Sequence, residues 1–470
     1  MTVRSLLGLA ALNLFAVGVG AGLLWGLRGW RSWWELARLA GLAYMLGVAG
    51  LGVVLSLLLV AGVPFSLATI VLTGLALAAA GIVVGFRLRR ARPSLGSAPR
   101  RIGLVGAGLA ALVIVYLEAL FRAARLSGLY AFDAWSFWVP KAKAIYFFGG
   151  LDEQFFSELP NATYPPLVPT LEATAFHFMG SADVVTLHVQ FWFFLAGFVA
   201  AVAGLLATRV PAVLLWSFAL LALVSPRVVG RTLEPQADFT LDYLFALAAL
   251  LVALWLIERQ PWQLASATLF LGATMLTKRE GQLLAACVIA AGLAASWREW
   301  RSAWPRLVLA SACAIALALP WRAWYVSHDL TGEFPASGAT GLLDNLDRAW
   351  PSLQSVLSSA FDAGLWTVVL PLVIAAIALA FIAGARVLPL FATLVYALAL
   401  AGFTWGIWSF TELEVPIEQD EAINPVVRLT AGLIVLSAAL APLLLDAAWR
   451  GTDRPRQPGG GLRCIASLRG

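Results

Sequence analysis

Apolar residues run along this chain in long unbroken blocks, and polar residues are confined to the joints between them. A block of roughly 17–25 apolar residues crosses a bilayer as a helix. On that basis the pattern predicts spans at about 5–27, 39–61, 65–86, 102–121, 184–206, 211–224, 237–257, 262–278, 281–296, 305–322, 364–383, 387–408 and 426–448. The expected fold class is therefore an all-α polytopic membrane protein of about 13 transmembrane helices. The block at 211–224 is short and bracketed by Pro211 and Pro226, so a tilted, broken or partly inserted helix is expected there.

Composition agrees with the pattern. Hydrophobic residues make up 61% of the chain and charged residues only 12%, against roughly half and about a quarter in soluble domains. The net charge of +6 does not point to nucleic acid, because the basic residues sit in short joints between spans. The three cysteines (Cys287, Cys313, Cys464) fit no metal spacing or disulfide framework, and three histidines argue against a histidine-rich metal site. The first apolar block could mimic a signal peptide, but no cleavage site stands out, so it reads as the first span.

Arginine placement orients the spans. The joint RLRRARPSLGSAPRR (87–101) holds six arginines and no acid, and is expected on the cytoplasmic side. Alternation then puts Arg28, Arg31, Arg38, Arg209, the joint 258–260, WREWRSAWPR (297–306), Arg386 and the C-terminal tail on that side as well. The other face receives every chemically loaded segment: 122–183, 225–238, TKREG (277–281), 325–362 and the acidic stretch 410–428. Three units are expected: a three-span addition with the basic joint (1–100), a core (101–450) whose outer loops carry short amphipathic helices, and a tail (451–470) of linker composition.

Five stretches on that outer face can carry chemistry. In YAFDAWSFWVPKAKAIYFFGG, Asp133 precedes residues at helical spacing that include Trp135 and Trp138, and Pro140 should split or kink the helix. Asp133 can be the N-cap of an interfacial helix or a general base held at the membrane surface. TYPPLVPTLEATAFHFMG reads as a Pro-started helix bearing Glu172 and His177, with Tyr164 before it, and Asn161-Ala162-Thr163 matches a short sequon. RTLEPQADFTLDYLF puts Glu234 and Asp238 at the mouth of a span and Asp242 one turn inside it. Acids at a helix start are ordinary, whereas an acid within a span usually faces a polar cavity.

LTKREG joins two spans with no room for a solvated loop, so Lys278, Arg279 and Glu280 must lie at the surface or in a cavity. Two cations on the face opposite the arginine-rich joints suit a phosphate. Finally, Arg428 enters the last span about a turn from its start, where it can snorkel to headgroups or serve an anionic ligand.

The order of these pieces resembles the GT-C superfold of polytopic glycosyltransferases, most closely the protein O-mannosyltransferase and aminoarabinose-transferase-like branch. The correspondence runs over about 101–450. A first core span leads to an acid, Asp133. The segment Tyr164-Pro165-Pro166-Leu167 opens an apolar helix. Asp238 sits at a span mouth, Thr277-Lys278 forms a turn between spans, and Asn424–Arg428 leads into the last one. Asp133 is followed by Ala134 where that family often carries Asp-Glu, and Tyr164 stands where it often has His.

The resemblance implies a GT-C-like bundle in a bacterial inner membrane, active on the outer or periplasmic side. It implies transfer of a sugar from a polyprenyl-phosphate donor to a lipid, polysaccharide or protein acceptor, with no nucleic acid involved. Asp133 would be the catalytic base, and Lys278, Arg279, Arg428 and Arg231 the phosphate-binding cations. Trp135, Trp138, Tyr164, Glu234, Asp238 and Glu280 would contact substrate. No metal would be required, with a divalent ion between Asp133 and Asp238 as the lesser alternative. The competing functional reading is a transporter or flippase of a lipid-linked sugar, and a non-catalytic scaffold is a third.

Overall fold

A computed structural model describes residues 2–88, 103–330, 343–409 and 425–453; these are largely helical, with no strand among them. Most of the arginine-rich joint 87–101, the centre of 325–362, the acidic stretch 410–424 and the tail from 454 lie outside the described residues.

In chain order the helices are α1 (Val3–Leu27), α2 (Trp33–Arg38), α3 (Ala40–Val60), α4 (Leu67–Arg87), α5 (Leu104–Ala124), a π-helical turn (Ala134–Trp138), α6 (Val139–Phe148), α7 (Glu153–Glu158), α8 (Leu167–Met179), α9 (Val184–Leu206) and α10 (Ala212–Leu223). There follow α11 (Pro226–Arg231), α12 (Ala237–Glu258), α13 (Pro261–Met275), α14 (Arg279–Ala295), α15 (Trp300–Ser327), α16 (Ala349–Ala360), α17 (Ala363–Trp366), α18 (Val369–Ile382), α19 (Val387–Trp408) and α20 (Pro425–Arg450).

Among the described residues nine helices are long and apolar enough to cross a membrane, or ten if one pair bent by 110° near Thr367 counts as a single span. The chain is an all-α polytopic membrane protein. The other expected spans are helices too, but α10, α13, α14 and α18 have only 12, 15, 17 and 14 residues. At about 1.5 Å rise per residue α10 covers roughly 18 Å, well short of a hydrocarbon core of about 30 Å. Pro211 and Pro226 stop it at both ends, as neither can continue a helical ladder.

Burial separates the centre from the rim. The most apolar stretch of α12 is 94% buried and that of α20 is 89% buried, whereas α5 is only 17% buried. All three are apolar, so the difference is position: Leu104, Ile114 and Val115 of α5 are exposed and face the place of lipid. Asp238 and Arg428 of the expected site therefore enter the bundle on its two most enclosed helices.

The N-terminal helices are closely packed. A Cβ on Gly20 of α1 would lie 1.6 Å from the Ala43 carbonyl oxygen of α3, and one on Gly47 would lie 1.9 Å from that of Ala16. Small residues allow such backbone approach where no hydrophobic force separates helix from lipid. A buried polar knot ties this unit to α9. Asn13 donates to Gln190 at 2.9 Å, Tyr44 donates to Asn13 at 2.7 Å, and Gln190 donates back to Asn13 at 3.1 Å.

The two ends of the bundle differ in chemistry. One end is laced by arginines: Arg209 grips Glu258 through two bonds of 2.5 and 2.8 Å, Arg259 meets Glu299 at 2.7 Å, and Arg28 meets Glu35 at 2.5 Å. Arg38 also donates to the Gly204 carbonyl there. The opposite end gathers the start of α12, the α13–α14 turn, the start of α20 and the segment after α5. Alternation of the spans predicts this division.

Candidate functional site

Asp133 lies in the first turn of a helix and caps nothing: its backbone is helical and its side chain makes no capping bond. The expected N-cap role is replaced by a longer-range one. Directly after it the helix widens, so that the Val139 N–H reaches the Ala134 carbonyl five residues back. Pro140, at the start of α6, has no N–H to continue the regular ladder, and a wide turn is one way a helix passes such a point. The expected break at Pro140 thus takes the form of a π-turn leading into α6.

The Asp133 carboxylate accepts a hydrogen bond from Arg428 Nη2. The same guanidinium forks onto Asp238, Nε to Oδ2 at 2.9 Å and Nη2 to Oδ1 at 3.2 Å. Lys278 Nζ donates to Asp238 Oδ1 at 3.0 Å and pairs with Glu280 at 3.0 Å. Four segments far apart in sequence therefore meet in one chain of charges: Asp133, Arg428, Asp238, Lys278, Glu280. Asp238 and Lys278 are only 7% and 5% exposed. Charges so enclosed persist only when paired. Arg428 stands between Asp133 and Asp238, so this pair does not offer a divalent ion two open carboxylates.

Asp242 lies one turn deeper on α12, 3% exposed. Its Oδ2 has no hydrogen-bond partner among the described residues. On the facing helix a Cβ on Gly432 would lie 2.8 Å from Asp242 Oδ1, so a side chain there would have to displace the carboxylate.

Beside the charge chain is a cavity of about 510 Å³, within the roughly 300–1,000 Å³ common for small-molecule sites. Asp133, Asp238 and Arg428 form one wall, Arg227 and Arg231 of α11 another, and Tyr130, Phe132 and Phe239 supply aromatic surface. Arg231 lies over the Tyr130 ring at 5.6 Å, and the Tyr130 hydroxyl donates to the Gly230 carbonyl at 2.9 Å. Burial raises the Glu234 carboxyl above its ordinary range, against the opposing pull of Tyr130 and Arg231. Burial, and the acid beside it, push the Tyr130 phenol up to about 12.

The remaining expected residues distribute as follows. Lys278 and Glu280 lie behind Asp238, away from the cavity lining. Arg279 donates to the Thr163 hydroxyl and so pins the Pro-Pro segment to the α13–α14 turn, helped by a Leu167 N–H to Leu276 carbonyl bond of 3.1 Å. Thr163 of the sequon is buried in this structural role. Tyr164 packs between Trp138 and Lys278, at 5.6 and 5.7 Å. Trp138 is fully buried, while Trp135 is 51% exposed and meets Phe132 edge-on at 5.1 Å. Glu172 is buried on α8 with neither carboxyl oxygen hydrogen-bonded among the described residues, and does not join the site.

Sequence reasoning did not single out Arg227, Tyr130, Phe132 or Phe239. A signal existed for one of them: Arg227 and Arg231 are four apart, on one face of a short helix following a proline. No protein-family model, curated protein or solved structure matches the chain.

Proposed function

We propose that this chain is an integral-membrane glycosyltransferase that moves a sugar from a polyprenyl-phosphate donor to an acceptor hydroxyl on the outer face. The observation that carries the reading is the position of Asp133. It stands at the edge of a cavity whose other walls are arginines and aromatic rings, at one end of a membrane bundle. That combination suits a ligand with an anionic group, a sugar and an apolar tail.

The charge chain refines which cations meet the phosphate. Lys278 and Arg428 are each paired to carboxylates, and Lys278 lies behind Asp238. Arg227 and Arg231 line the cavity, and the burial-raised carboxyl of Glu234 feels the charge of Arg231. The two arginines are the first anchors for the donor phosphate, and Arg428 is the third. A phosphate that reaches Arg428 competes with Asp133 for the same guanidinium nitrogen. Its arrival releases the carboxylate, so the base becomes available only when donor is in place.

In the transfer step the acceptor oxygen attacks the anomeric carbon and forms the new C–O bond. The bond between that carbon and the phosphate oxygen breaks, and polyprenyl phosphate leaves with the electron pair. Asp133 takes the acceptor proton, a role worth about 10²–10⁴-fold. The arginines stabilise the charge that develops on the leaving phosphate. Attack from the side opposite the phosphate inverts the anomeric centre.

A transporter or flippase is the second reading, favoured by the buried Asp242 within α12. The two are separated by reconstituting the protein in vesicles with a polyprenyl-phosphate-linked sugar and measuring both polyprenyl phosphate release and movement of the intact lipid-linked sugar between leaflets. Release that Asp133→Asn abolishes supports the transferase. Movement without release, equal in wild type and Asp133→Asn, overturns it.

A further inference from the structure

The arginines of the cavity come from two separate helices, Arg227 and Arg231 from α11 and Arg428 from α20. Whether one anion can meet all three depends on how far apart those helices are held. A single run of buried hydrogen bonds joins them through α16 and α17. On α20, Thr430 lies two residues past Arg428, and its hydroxyl shares a hydrogen bond of 3.2 Å with the Ser359 hydroxyl of α16. The Ser359 carbonyl accepts from the Trp366 indole N–H of α17 at 2.8 Å. The Trp366 carbonyl accepts in turn from the Ser225 hydroxyl at 3.4 Å, a donor shared with the Leu221 carbonyl at 3.0 Å. Ser225 lies two residues before Arg227. All four linked residues are buried.

Both ends of the middle step depart from local preference. Ser225 occupies the position before α11 where a serine ordinarily caps the helix, yet its side chain makes no capping bond. The hydroxyl is turned instead toward Leu221 and Trp366. Trp366 ends α17, and the next residue, Thr367, has φ 57° and ψ −129°. A β-branched residue at positive φ is an outlier. Such a conformation costs about 1–3 kcal/mol and persists only where the surroundings impose it. This turn carries the chain through the 110° bend toward α18. The fully buried Trp366 supplies contacts that impose it, and its carbonyl also accepts from the Thr367 hydroxyl at 2.5 Å.

We infer that Trp366 is a positioning residue for the arginine-walled cavity: it holds α11 and α20 at one separation, so that Arg227, Arg231 and Arg428 can act on a single phosphate. The inference rests on the proposed phosphate-bearing donor and adds what fixes the geometry of its seat. Trp366 does not line the cavity. It acts only through the two helices it joins, and loss of its indole N–H breaks the link at its middle.

The test measures binding of radiolabelled decaprenyl phosphate to the full chain in nanodiscs, with thermal unfolding of each variant alongside. Trp366→Phe keeps a ring and removes the N–H. Trp192→Phe, the comparison, removes a similar bond of 2.7 Å to the Leu117 carbonyl, between α9 and α5. Both variants should unfold at lower temperature, but only Trp366→Phe should weaken binding, by about fivefold. In the double variant Trp366→Phe/Arg231→Gln the two losses should be less than additive, because an arginine that the link positions is already gone. If Trp366→Phe does not fold, Thr430→Val, which removes the hydroxyl at the α20 end, is expected to give the same pattern. Binding as tight as in wild type, or weakened equally by Trp192→Phe, overturns the inference, as do strictly additive losses. A wild type that binds the lipid phosphate and transfers no sugar overturns the transferase, while the positioning role is still decided by the affinities. A wild type that does not bind it overturns both.

Discussion

Arg428 on the last described helix hydrogen-bonds Asp133, 295 positions earlier in the chain. That contact joins an acid of the segment after α5 to the centre of the membrane bundle, because the same guanidinium also holds Asp238. The two residues should behave as one unit. In a double-mutant cycle of Asp133→Asn and Arg428→Lys, measured as donor turnover, the coupling is expected to exceed about 1 kcal/mol. Strictly additive effects would mean that the contact plays no part in the reaction.

Lys278 is expected to act through the fold more than through the ligand. Lys278→Met leaves Glu280 without its ammonium partner and Asp238 dependent on Arg428 alone. Removing one member of a buried pair costs about 3–5 kcal/mol. Thermal unfolding in detergent should therefore rank Lys278→Met below Lys278→Arg, which keeps a cation between Asp238 and Glu280. A Lys278→Met variant as stable as wild type would show that the pair carries no structural load.

Glu234 makes a pH-dependent contribution of known sign. Burial raises its carboxyl above the ordinary value of 4.5, so the fold prefers the neutral acid. Its stabilisation is complete below the unfolded value and is lost as pH rises through the folded one. Glu234→Gln keeps the neutral form at every pH. Melting temperatures taken upward from about pH 4.5 should fall less steeply in the variant than in wild type. Parallel slopes would assign the pH dependence to another group.

The N-terminal unit should resist enlargement at its contact. Gly47→Val places a branched side chain against the Ala16 carbonyl of α1, where even a Cβ falls at 1.9 Å. Overpacking of this kind costs about 1–3 kcal/mol. Earlier unfolding and faster proteolysis between α1 and α3 are expected, while a Gly108→Val control on α5, where nothing lies within 4 Å of a Cβ, should be neutral. Equal behaviour of the two variants would remove the case for close packing.

The sequence by itself determined that the chain is a polytopic helical membrane protein. Runs of apolar residues have one economical solution in hydrocarbon, because a helix satisfies its own backbone. It also determined which joints share an end of the bundle, since each crossing reverses direction; Asp133, Asp238, Lys278 and Arg428 meet at the end that alternation assigns them. Even the weak element at 211–224 was legible, from its length and its two prolines.

Pairing was not legible. Lys278 read as a cation suited to a phosphate and Arg428 as one that snorkels to headgroups or serves an anionic ligand; their pairing was hidden because local sequence carries no information on which carboxylate lies opposite a side chain 40 or 190 residues away. Asp133 read as a helix cap or a general base, and its contact with Arg428 comes only from the approach of α20. The cavity walled by Arg227 and Arg231 arises between helices, from the packing of α11, α12 and α20. Periodicity sets which face of a helix is inward, but the space enclosed when several such faces meet is a property of their tertiary arrangement alone.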